Sequence, residues 1–63
     1  MDWLVRIWTH DGKEPKTECR EFDDLNEARE FADKTFLEFE KQAMDHPLIY
    51  LEYDVKVYKR TNY

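Results

Sequence analysis

An apolar stripe through the middle of the chain limits the possible folds more than any other feature. Over Leu25–Ala43, the residues Leu25, Ala28, Ala32, Phe36, Phe39 and Ala43 recur at steps of three and four. That is the spacing of one face of an α-helix. Asp24 stands just before the first apolar residue and Glu27 follows three later. This is the pattern of a capping box with Asp in the usual Ser/Thr place, where each side chain can satisfy a free backbone N–H. Asp45-His46-Pro47 supplies the stop, because proline disfavours helical geometry in the residue before it and cannot continue the ladder. On the polar side, Glu30–Lys34 and Arg29–Asp33 are i,i+4 pairs, each worth about 0.2–0.5 kcal/mol. Phe31 lies at the margin of the stripe. Leu37 lies almost opposite it and is expected to be exposed unless a partner covers it.

The flanking segments read as strands. Trp3–Thr9 is rich in β-branched and aromatic residues. Trp3, Val5 and Ile7 fall on one face, and Leu4, Arg6 and Trp8 on the other. His10-Asp11-Gly12-Lys13-Glu14-Pro15 reads as a turn and loop. Lys16–Phe22 is a second, more polar strand whose charge and brevity suit an edge. Thr17 and Cys19 share one of its faces, and Glu18, Arg20 and Phe22 share the other. After Pro47, Leu48–Lys59 alternates cleanly, with Ile49, Leu51, Tyr53, Val55 and Val57 against Tyr50, Glu52, Asp54, Lys56 and Tyr58. This third strand is longer than the other two, so one end is expected to overhang the sheet. Thr61-Asn62-Tyr63 is expected to be a short frayed tail.

The expectation is therefore one α+β domain over residues 1–63, in the order β-β-α-β. The three-stranded antiparallel sheet has order 2-1-3, and the long helix packs on one face. The apolar stripe should meet Trp3, Val5, Ile7, Ile49, Leu51, Val55 and Val57. The other sheet face is left with Leu4, Trp8, Tyr50 and Tyr58 among charges.

A 63-residue chain has a marginal core and usually needs a staple. Cys19 alone makes no internal disulfide. With His10 and His46 it is too scattered for structural zinc. Dense aromatic packing, oligomerisation, or both remain. One cysteine and no leader-like or membrane-spanning apolar run lead to the expectation of a cytoplasmic protein.

The formal net charge is −5. Between Glu18 and Asp33 lie seven acids (Glu18, Glu21, Asp23, Asp24, Glu27, Glu30, Asp33) and two bases (Arg20, Arg29), a balance of −5, so the remainder is neutral. Direct nucleic-acid binding is disfavoured, since phosphate neutralisation needs clustered Lys and Arg. No chemistry-bearing motif stands out either. Gly12, the only glycine, cannot build a phosphate loop. Cys19, between charged neighbours, reads as a small buried hydrophobe. The many carboxylates have no room for a cleft with unlike environments. The expectation is a protein that is not an enzyme, with no catalytic residue, cofactor or metal.

Two surfaces remain. The acids Glu18, Glu21, Asp23, Asp24, Glu27, Glu30 and Asp33 are either a solvated face that caps the helix and aids solubility, or carboxylates that imitate phosphates and fill a basic groove on a partner. The aromatic sheet face of Leu4, Trp8, Tyr50 and Tyr58 is either a half-exposed surface lying over the Arg6 and Lys56 stems, or a protein interface with a foreign partner or with a second copy of the chain.

The strand-to-cap-to-helix run Arg20-Glu21-Phe22-Asp23-Asp24-Leu25-Asn26-Glu27-Ala28, taken with size and acidity, resembles small phage-encoded inhibitors, which include anti-CRISPR proteins and DNA mimics. The resemblance is one of type and carries over no functional residue. It implies a viral protein that acts as a stoichiometric blocker of a host nucleic-acid-binding or defence complex, in the host cytoplasm. The competing expectation is a small homo-oligomeric accessory or structural domain that assembles through its sheet.

Overall fold

The computed structural model describes residues 2–60. The elements are β1 (Trp3–His10), β2 (Pro15–Phe22), α1 (Leu25–Asp45) and β3 (Glu52–Lys59). Both neighbours of β1 pair with it antiparallel, in the order β2-β1-β3. The chain thus has the expected α+β architecture, a three-stranded sheet with one helix against it. The expected tail at 61–63 lies outside the described residues.

β1 and β2 are joined by a four-residue loop, Asp11–Glu14, between the rung His10–Pro15 and the loop tip. Asp11 Oδ1 accepts from the Lys13 N–H at 2.9 Å and the Glu14 N–H at 3.2 Å. Gly12 takes φ +91°, the left-handed region that glycine enters without a Cβ clash. Pro15 opens β2 rather than ending the loop; as the first residue of an edge strand it need donate nothing.

At the helix start, Asp24 accepts from the Asn26 N–H at 3.3 Å through Oδ1. The helix runs two residues beyond the expected Ala43, and His46 caps its end through an N–H to Gln42 O at 3.0 Å. Ala28 and Ala32 are buried against Val5 and Ile7, and Trp3, Phe22, Phe31, Phe39, Val55 and Val57 pack around them. Small side chains at the contact let the helix lie close to the sheet. Phe31, marginal on the stripe, earns its place from outside the helix: its ring lies 5.3 Å from Phe22, with the Arg20 guanidinium 5.1 Å above it. Farther along, Tyr53 stands edge-on to Phe36 and stacked on Phe39.

Two expectations are corrected. The third strand begins at Glu52, not Leu48. Glu52 pairs with His10, the last residue of β1, so residues before it have no rung to join. They turn instead, with the Ile49 N–H bonded to His46 O. Ile49, expected in the core, is 64% exposed, and Leu48 is fully exposed. Cys19, expected to be buried, is exposed. It pairs with Arg6, on the sheet face away from the helix, and every residue of β2 except Phe22 is exposed. Leu37 is exposed as its position opposite the stripe implies. No helix among the described residues is long and apolar enough to cross a membrane.

Candidate functional site

The pairing of β1 with both neighbours lines up the side chains of the open sheet face in four cross-strand rows. They are Glu21–Leu4–Tyr58, Cys19–Arg6–Lys56, Thr17–Trp8–Asp54 and Pro15–His10–Glu52. Arg6, Trp8, Asp54, Lys56 and Tyr58, the β1 and β3 members of the two middle rows with Tyr58 beside them, line a cleft of about 330 Å³. Lys56 Nζ lies 3.5 Å from Asp54 within it.

The expected residues of this face divide between its two ends. Leu4 and Tyr58 share the first row. Trp8 stacks on His10 at 6.0 Å, and His10 in turn meets the edge of Tyr50 at 6.0 Å. Tyr50 reaches the face from the turn before β3, not from the strand itself. His10 Nδ1 accepts from the Gly12 N–H at 3.0 Å, which places the proton of the neutral ring on Nε2. A hydrogen bond to Glu52, partial desolvation and the Glu52 charge together push the Tyr50 phenol above its ordinary value. Sequence reasoning named the aromatics and passed over His10, Asp54 and the functional weight of Arg6 and Lys56. The same two-residue alternation that placed Trp8 and Tyr58 also marks these four.

The acids are arranged by layer. The helix and its lead-in, residues 23–45, hold eight acids (Asp23, Asp24, Glu27, Glu30, Asp33, Glu38, Glu40, Asp45) and three bases (Arg29, Lys34, Lys41), a balance of −5. All other acids and bases number seven each and cancel. The molecule is therefore a charged helix layer on a neutral sheet layer. Of the seven expected acids, Asp23, Asp24, Glu27, Glu30 and Asp33 belong to the charged layer. Glu30 and Asp33 line a shallow groove with Lys34, Leu37, Glu38 and Lys41 on the outer side of the helix. Glu18 and Glu21 belong to β2 instead. Glu18 shares a rung with Ile7, on the helix-facing side, while Glu21 lies on the open face and is paired with Arg60.

No protein-family model, curated protein or solved structure matches the chain.

Cys19 and His10 share the open face but stand two rows apart, about 13 Å along the strands at 3.3 Å per residue. No group of three or more His, Cys, Asp or Glu side chains among the described residues could hold a metal ion.

Proposed function

We propose that the chain is a non-enzymatic binding protein that inhibits a nucleic-acid-binding or defence complex by laying its acidic helix layer against that complex's basic groove. The observation that carries this reading is the sorting of the whole net charge into residues 23–45. Glu27, Glu30 and Asp33 advance about 4.5 Å each along the helix axis at ~1.5 Å per residue. A one-sided field of this kind steers an acidic protein toward a basic cleft and orients it on arrival. The type-level resemblance to phage-encoded inhibitors such as anti-CRISPR proteins and DNA mimics agrees with this reading, which places the protein's action in the host cytoplasm.

The test is capture from bacterial lysate at low and at high salt, with the wild type and with a Glu27→Lys/Glu30→Lys variant whose helicity is checked by circular dichroism. The reading predicts recovery of a nucleic-acid-binding protein that weakens as salt rises and is lost with the variant. Capture indifferent to both changes overturns it.

A further inference from the structure

We propose that the open sheet face is a homodimer interface. Two copies stack face to face about a two-fold axis that runs across the strands, midway between the Arg6–Lys56 row and the Trp8–Asp54 row. The two-fold keeps β3 over β3 and β1 over β1, but exchanges the two middle rows. Lys56 of each copy then stands over Asp54 of the other, and Arg6 over Trp8.

Four observations lead to this occupant rather than another. The first is pattern. The two middle rows carry opposite character, one cationic and the next aromatic-acidic, so laying one on the other sets Lys56 against Asp54 and Arg6 against Trp8. An isologous interface requires this self-complementarity. The second is charge. On the open face Arg6, Lys56 and Arg60 nearly offset Glu21, Glu52, Asp54 and, beside Arg60, Asp2, while the helix layer carries the −5 of the chain. Two copies repel through their helices more than through their sheets.

The third is size. The three eight-residue strands span roughly 26 × 14 Å at ~3.3 Å per residue and ~4.8 Å per strand, a small face beside the ~800 Å² per partner of a standard interface, so the dimer forms at the upper, millimolar end of the concentration range. The side chains of the middle rows are long, which suits the ~10 Å between packed sheets. The fourth is need. Among the described residues only Val5, Ile7, Ala28 and Ala32 are buried hydrophobics, a small core for a chain of 63 residues. In the dimer, Trp8 and Tyr58 supply apolar contact, and the Lys56–Asp54 pairs fix the register. The product is a helix–sheet–sheet–helix sandwich with both acidic helix layers facing outward.

The experiment is light scattering with size exclusion on the full chain, up to the millimolar range. It compares the wild type, Lys56→Glu, Asp54→Lys, and an equimolar mixture of the two variants, with circular dichroism confirming that each variant folds. The wild type is expected to give the dimer mass. Each variant alone places like charges on like and weakens dimerisation by roughly tenfold or more. The mixture restores opposite charges at both contacts and recovers the dimer as a heterodimer. A monomeric wild type overturns the proposal and leaves the face to a foreign partner. A single variant that dimerises as the wild type does, or a mixture no more associated than its components, also overturns it.

Discussion

Gly12 and Tyr50 meet at the hairpin end of the sheet: a Cβ on Gly12 would stand 3.3 Å from Tyr50 Cδ1. The contact joins the β1–β2 loop to the turn that leads into β3, two segments far apart in the chain. Two constraints coincide at Gly12, since its φ of +91° already favours glycine. Gly12→Ala is therefore expected to cost about 1–3 kcal/mol of stability, read as a lower midpoint in urea denaturation. Trimming Tyr50 to Ala in the same chain should recover only part of this loss, because the backbone strain remains.

The Asp24 cap offers a second measurement. Its side chain accepts from the Asn26 N–H, so Asp24→Ala should lose about 0.5–2 kcal/mol. Asp24→Asn, which keeps the acceptor, should lose much less. Equal losses for the two would assign the effect to charge rather than to the hydrogen bond.

Acid sensitivity has a local source in the loop. The Lys13 and then the Glu14 backbone N–H groups hold the Asp11 carboxyl below its ordinary value of 3.8. A depressed folded pKa contributes stability that is fully present above the unfolded value and is lost as pH falls through the folded one. Asp11→Asn should therefore flatten the acid limb of the stability curve below about pH 4. An NMR titration placing the Asp11 carboxyl at or above 3.8 would contradict the assignment.

Core and outer helix face should respond oppositely to truncation. Val5 is fully buried between helix and sheet, and Val5→Ala is expected to cost about 2 kcal/mol. Leu37, 62% exposed in its groove of charges, should tolerate Ala within about 0.5 kcal/mol. Thermal denaturation of the two variants side by side checks both values.

Local periodicity carried most of the fold. The alternation of Trp3, Val5 and Ile7 with Leu4, Arg6 and Trp8, and the stripe from Leu25 to Ala43, were enough for the helix, the sheet order and the open face. What it could not reach depended on partners distant in sequence. Leu48–Leu51 continues the alternation of β3, but β1 ends at His10, so those residues find no rung. Cys19 has the charged neighbours of a buried small residue, yet it pairs with Arg6 and so lies on the open face, away from the helix. The acidic run was visible as a stretch, from Glu18 to Asp33. The structure regroups it: Glu18 and Glu21 join a neutral sheet, and Glu38, Glu40 and Asp45 join the charged helix layer.

The most direct measurement is competition. A partner recovered on the protein at low salt would be titrated with short duplex DNA at one fixed ionic strength, with bound protein followed throughout. If the acidic helix layer occupies the groove that takes nucleic acid, DNA should displace the protein fully, with no species holding both. A ternary complex of partner, DNA and protein would contradict that account and move the function to another surface.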